Sequence, residues 1–234
     1  MPNSKVVVIP TYNERENLPV VVERILALNA GLDILVVDDN SPDGTGEVAD
    51  ALAARHPEVK VLHRPTREGL GRAYTDAFQR MVAAGYDPIL QMDADLSHDP
   101  ASLPRLLSAI EGCDLVLGSR YVPGGGVRNW GVLRRLISRC GSAAARAMLG
   151  LPYHDLTGGF KAWRRELLQR IGAGTIHSNG YCFQIEMTFR AHQLGAKIVE
   201  VPIIFHNRRM GRSKMRGRIV WEAVVRLFQL RAER

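Results

Sequence analysis

Short β-branched runs alternate with longer amphipathic stretches along most of the chain. KVVVI (5–9) precedes a helical pattern from Glu16 to Leu28, and LDILVV (32–37) precedes a helix opening near Thr45. VKVLH (59–63) is followed by a helical stretch from Gly69 to Ala84, PILQM (88–92) by one from Pro100 to Ile110, and DLVLGS (114–119) closes the series. Alternation of this kind predicts an α/β fold, a mostly parallel sheet with helices on both faces. Beyond Arg120 the pattern loosens. A Gly-rich loop (Pro123 to Gly126) leads to helical spacing from Leu133 to Leu149, then DLTGGF (155–160), a helix around Phe183 to Leu194, and the strand-like KIVEVPIIF (197–205).

Ligands of such sheets bind at the carboxyl ends of the strands. Those positions are unusually polar here: Pro10-Thr11-Tyr12-Asn13-Glu14, Asp38-Asp39-Asn40-Ser41, Asp93-Ala94-Asp95 and Arg120. Asp93 and Asp95, two apart on extended chain, can project to one side and hold a hard cation through oxygen. Asp39 at a ligand edge can accept hydrogen bonds from a base or ribose. For Asp43 and Ser41, capping of the helix near Thr45 stands as the alternative. Arg120, with Arg134 and Ser138 one helical turn apart on the next helix, can form a second anion site.

The 234 residues, 46% apolar, suffice for one large domain, expected over residues 1–217. Three scattered cysteines without a CxxC pair fit a reducing compartment, and a cytoplasmic location is expected. No run approaches the roughly 20 apolar residues of a membrane span. The formal charge of +7 is concentrated at one end: from His206 to Arg234, nine Lys/Arg stand against Glu222 and Glu233, a surplus of seven. A basic end on a neutral body points to a localised anionic partner. Within it, residues 218–234 place Ile219, Val220, Ala223, Leu227 and Leu230 at helical spacing, with Trp221, Val224 and Phe228 widening the apolar face. That basic amphipathic helix suits a lipid interface, the protein's own core, or an integral membrane partner. Nucleic acid is not expected, because aromatic and basic residues do not interleave and the acidic strand ends would have no use. A dinucleotide site is excluded, since neither Gly69-Leu70-Gly71 nor Gly44-Thr45-Gly46 completes GxGxxG after the first strand.

Taken in order, PTYNERENL, VVDDNSPDGT, REGLGRAY, MDADLSHDP, GSRYVPGGGV, NWGVLRRLISR, DLTGGFKAW, GYCFQIEM and FHNRRMGRSK resemble the dolichol-phosphate mannose synthases, family 2 inverting glycosyltransferases of GT-A fold. The resemblance runs from Val6 to about Lys214. It implies transfer of mannose from GDP-mannose to dolichyl or polyprenyl phosphate at the cytoplasmic face of a membrane, with a glucosyl transferase to the same lipid as the alternative. It also implies that Pro10, Tyr12, Glu14, Asp39, Asp43 and Ala94 line the donor site, and that Asp93 and Asp95 bind Mg²⁺ or Mn²⁺. By the same resemblance Arg208 and Lys214 close over the donor phosphates, and Arg120, Arg134 and Ser138 receive the lipid phosphate. Ser97 stands where many relatives have Gln as an oxygen ligand, and its shorter hydroxyl would act only through water. His98 is expected to pack, not to ligate.

Overall fold

A computed structural model describes residues 4–172, 174, 176, 178, 180–207 and 227–232, the side chains of 132–134 and 181 apart. The predicted alternation is realised as β1 (Lys5–Thr11), α1 (Asn17–Leu26), β2 (Leu32–Asp38), α2 (Thr45–Arg55), β3 (Val59–His63), α3 (Leu70–Ala83), β4 (Ile89–Gln91), α4 (Leu103–Ile110) and β5 (Leu115–Ser119). Past β5 come β6 (Gly126–Val127), α5 (Val132–Leu149), β7 (Lys161–Trp163), α6 (Arg165–Ile171), α7 (Gly180–Gln193), β8 (Ile198–Pro202) and β9 (Ile204–Phe205).

Among the described residues seven strands form one sheet in the order β3-β2-β1-β4-β7-β5-β8, and β6 pairs with β9 in a second. Successive side chains of a strand point to opposite faces, and the core divides accordingly. Val7, Ile9, Ile34, Val36 and Leu90 join the apolar sides of α1, α2 and α4. Val6, Val8, Leu35, Val37 and Ile89 join those of α3, α6 and α7. Burial on both faces explains why the strands read as unbroken apolar runs, each fully buried Val, Leu or Ile contributing about 1.5–3 kcal/mol.

Two departures from the sequence pattern shape the site. β7 lies antiparallel between β4 and β5, pairing Gln91 with Lys161 and Leu117 with Lys161. An antiparallel strand begins where its parallel neighbours end, so DLTGGF, just before β7, is delivered to the ligand edge. The apolar run KIVEVPIIF is not one strand. It divides at Pro202, which has no N–H to extend a ladder. Ile203 then bridges the sheets, its N–H donating to the Ser119 carbonyl and its own carbonyl accepting from Gly126 N–H.

Of the segment 218–234, only 227–232 lies within the described residues; it is helical. Leu227 and Leu230 are buried with Ala145, Leu149, Leu151, Leu156, Ile185 and Phe189. That packing favours the core reading for this part, while Phe228, 60% exposed, is what an interfacial helix would present. Among the described residues no helix is long and apolar enough to cross a membrane.

Candidate active site

The ligand edge is built from the loops after β1, β2 and β4 together with the entry to β7. After β4 the chain turns sharply at Leu96, whose φ of 60° is uncommon for a bulky side chain. The turn lets Ser97 N–H donate to Asp95 Oδ1 at 3.0 Å and brings His98 Nδ1 to 3.2 Å from Asp93 N–H. Because Nδ1 accepts there, the ring proton sits on Nε2. Burial pushes the His98 pKa down, against the opposing charges of Asp93 and Asp95. The ring stacks on Phe160 at 5.0 Å and meets Phe205 edge-on at 5.2 Å, so His98 packs and positions the Asp93 backbone.

The Asp93 side chain is 27% exposed, and its Oδ1 lies 3.5 Å from the Tyr74 hydroxyl. That hydroxyl is pushed well above its ordinary pKa by burial and then by the Asp93 charge, which keeps it a donor. Asp95 is buried, and so is Ser97, whose hydroxyl has no partner among the described residues. Ala94, expected at the donor, is instead part of the apolar core, so only its backbone can take part. Two carboxylates with a hydroxyl nearby form an all-oxygen set, which suits a hard divalent cation and not a thiophilic one. Among the described residues no cluster of three or more His, Cys, Asp and Glu could hold a metal by itself. Remaining ligands would have to come from substrate and water.

The loops after β1 and β2 are tied to each other. Asn13 N–H donates to Ser41 Oγ at 3.1 Å and Glu14 N–H to Thr45 Oγ1 at 3.0 Å. Pro10 is buried within β1, opposite Val37. The Glu14 carboxylate accepts from Asn17 Nδ2 at 2.8 Å. Tyr12 carries the Arg67 guanidinium over its ring, with Cζ 3.8 Å from the centroid, and both groups are of the kind on which a base can stack.

Asp39 is already engaged. It pairs with Arg64 and accepts N–H groups from Glu68 at 3.3 Å and Gly69 at 3.0 Å, so it anchors the entry to α3. A carboxylate has about four lone-pair sites, which leaves one for a nucleoside. Asp43, just before the N-cap Gly44, makes local bonds at the entry to α2, as the capping alternative expects. Its Oδ1 takes the Thr45 N–H at 3.0 Å and the Thr45 hydroxyl at 2.5 Å, and its Oδ2 the Arg15 N–H at 3.3 Å. Burial would raise its pKa, but these bonds outweigh it and hold the carboxyl below the usual range.

Arg120 is engaged within the protein. Its Nε and Nη2 each lie 2.7 Å from Asp155, Nη2 reaches Thr157 Oγ1 at 2.8 Å, and both ion-pair partners are buried. Tyr121, Trp130 and Phe205 surround the guanidinium at 5.1, 5.7 and 5.3 Å. It is therefore half of an internal ion pair first, and any phosphate near it meets a charge largely neutralised by Asp155. Ser138 accepts from the Tyr121 hydroxyl at 2.6 Å, facing the same loop. The Arg134 side chain, Arg208 and Lys214 lie outside the described residues. The chain leading to the last two passes beside the carboxylates, since His206 N–H donates to the Ser97 carbonyl at 2.9 Å.

The model of glycosyl transferase family 2 matches residues 6–172. The chain belongs to that family. It is 53% identical to the undecaprenyl-phosphate mannosyltransferase of Micrococcus luteus, over 93% of this chain and 90% of that one. It is 49% identical to the polyprenol monophosphomannose synthase of Mycolicibacterium smegmatis, over 95% and 85% respectively. Among solved structures, the glucosyl-3-phosphoglycerate synthase of Mycobacterium tuberculosis in complex with Mn²⁺, UDP and glucosyl-3-phosphoglycerate superposes with a TM-score of 0.74 at 24% identity, covering 99% of this chain and 81% of that one. At that identity the likeness shows the fold, which is of the GT-A type.

Some partners of these residues escaped sequence reasoning: Arg67 on Tyr12, Arg64 on Asp39 and Asp155 on Arg120. Arg67 opens the motif REGLGRAY and Arg64 lies three residues before it, so a signal was present, and Asp155 opens DLTGGF.

Proposed function

We propose that this glycosyltransferase moves mannose from GDP-mannose to polyprenyl phosphate, giving GDP and a β-linked lipid-phosphate mannose. The similarity to two mannosyltransferases acting on polyprenyl lipids carries the reading, at about half identity over nearly the whole chain. The paired carboxylates after β4 supply the chemistry it needs. Asp93 and Asp95 would hold Mg²⁺ or Mn²⁺, which when bound offsets the charge of the departing diphosphate.

The protein's own groups account for the rest. Tyr12 and Arg67 receive the base, and the loops of Glu14 and Asp39 frame the nucleoside. Arg208 and Lys214 neutralise the donor phosphates. The lipid phosphate is received near Ser138, with Arg134 and the paired Arg120. With a second pKa of about 6 it is largely dianionic at neutral pH and attacks the anomeric carbon without a strong general base. Beside Ser138 on α5, Leu136 and Ile137 are 58% and 49% exposed, and Arg135 and Arg139 flank them. An exposed apolar pair bracketed by cations suits an anionic lipid surface, where the acceptor resides.

Direct attack inverts the anomeric centre. Proton NMR of the purified mannosyl lipid is expected to show a β linkage from the α-linked donor; an α-linked product would overturn single-displacement transfer.

A further inference from the structure

A chain of buried amides ends at the edge of the site. The Trp163 indole N–H donates to Gln91 Oε1 at 2.9 Å. An indole nitrogen only donates, so the orientation of the Gln91 amide is fixed and its NH₂ faces away from Trp163. That NH₂ donates to Gln184 Oε1 at 3.0 Å, which fixes the second amide in the same way. The Gln184 NH₂ is left at the end of the chain, without a hydrogen-bond partner among the described residues, on a residue only 2% exposed. An enclosed N–H group without an acceptor is unfavourable, an arrangement a fold tolerates where a ligand supplies the acceptor.

Gly159 shows where this amide points. A Cβ added there would lie 3.3 and 3.5 Å from the two Asp93 oxygens and 3.5 Å from Gln184 Nε2. With no side chain of its own, Gly159 has an accepting carboxylate on one side of its Cα and a donating amide on the other. Lys161 braces the other end of Gln184, donating to its backbone carbonyl at 2.8 Å.

The chemistry of that pair selects its ligand. A diphosphate oxygen can accept from Gln184 but has no proton to give Asp93, and meets that carboxylate only through a cation. A hydroxyl does both, accepting from one neighbour and donating to the other. Of the hydroxyls flanking the diphosphate, on the ribose and on the transferred sugar, those on the side of the reacting bond belong to the sugar.

We infer that Gln184 reads the hexose, its Nε2 donating to one sugar hydroxyl that lies over Gly159 and directs its own proton to Asp93. The inference rests on the sugar-nucleotide reading above. It adds a specificity-determining residue to α7, in the least regular part of the sequence.

The test compares GDP with GDP-mannose, because only the latter carries the group in question. Calorimetric titrations in Mn²⁺ would use the full chain and two variants, Gln184→Glu, which keeps an acceptor for Gln91, and the uncharged Gln184→Met. Both variants are expected to bind GDP-mannose about tenfold or more weakly, and Gln184→Met, which adds no charge beside Asp93, to bind GDP within about twofold of wild type. Against monodeoxy GDP-mannoses, one analogue should bind wild type and Gln184→Met alike. For Gln184→Met, equal losses for GDP and GDP-mannose, no loss for either, or a full penalty with every analogue would overturn the assignment. If neither variant folds, the wild-type side chain still reports. Its ¹⁵N-labelled amide signal should move on adding GDP-mannose and not GDP, and an identical shift with GDP would reject the inference. Wild type that binds a different sugar nucleotide in place of GDP-mannose would overturn the mannose reading, and the Gln184 comparison then runs on that nucleotide.

Discussion

Asp93→Ala is expected to abolish transfer, lowering the initial rate at least about a thousandfold while leaving the melting temperature nearly unchanged. Both halves follow from how Asp93 is held. Its backbone N–H, which the substitution keeps, makes the bond to His98, whereas its side chain is 27% exposed and lies 3.5 Å from the Tyr74 hydroxyl and 3.9 Å from His98 Nδ1. Little of the fold depends on the carboxylate, yet a divalent cation at the diphosphate has no equivalent ligand beside Asp95. Asp93→Asn keeps the shape and removes the charge, and should fail almost as completely. Rates that stay within tenfold of wild type for either variant, or undiminished transfer after exhaustive chelation, would refute the placement of the cation.

Asp155→Asn is expected to cost about 3–5 kcal/mol of stability, a large share of the roughly 5–15 kcal/mol that holds a domain together. The substitution is nearly isosteric, but it strands a buried guanidinium. Arg120 loses the carboxylate that bonds its Nε, Nη2 and backbone N–H, and the aromatic rings around it offer no replacement for the charge. Burial would raise the Asp155 pKa, but the hydrogen bonds and charge of Arg120 outweigh it and hold the folded value below the ordinary one. With the folded pKa depressed, the stabilisation is complete above the unfolded pKa of about 3.9 and is lost as pH falls through the folded value. Urea unfolding at neutral pH and at about pH 3 should therefore show wild type losing more of its stability in acid than Asp155→Asn does. A variant as stable as wild type at neutral pH would show that the ion pair does not hold Arg120 in place.

The strand ends were legible because the sheet is buried on both faces. β1, β2 and β4 each carry an apolar run that stops abruptly at polar residues, and those residues include Tyr12, Asp39, Asp93 and Asp95. Local interactions were legible as alternatives: Asp43 is two residues from the Thr45 it caps, so capping could be weighed against ligand binding from the sequence alone. Pairs distant in sequence were not. Arg120 and Asp155 are 35 residues apart, Gln91 and Gln184 93 apart, and nothing in either neighbourhood names the partner.

β7 was hidden for a different reason. It has only three residues and begins with a lysine, whereas a central strand is expected to be apolar. Lys161 is accommodated fully buried by donating to the Gln184 carbonyl and to Thr188 Oγ1, with burial lowering its pKa to about 7. The antiparallel insertion that brings Gly159 to Asp93 thus depends on contacts that no periodicity reveals.

Transfer itself tests the account most directly. The protein would be incubated with Mn²⁺, polyprenyl phosphate and, in separate reactions, radiolabelled GDP-mannose, UDP-glucose and other GDP- and UDP-sugars, and the organic phase counted. Label from GDP-mannose is expected to enter that phase, only when the lipid phosphate is present, and far more than label from any other donor. Preferential entry of label from UDP-glucose, or release of free sugar with none reaching the lipid, would contradict it.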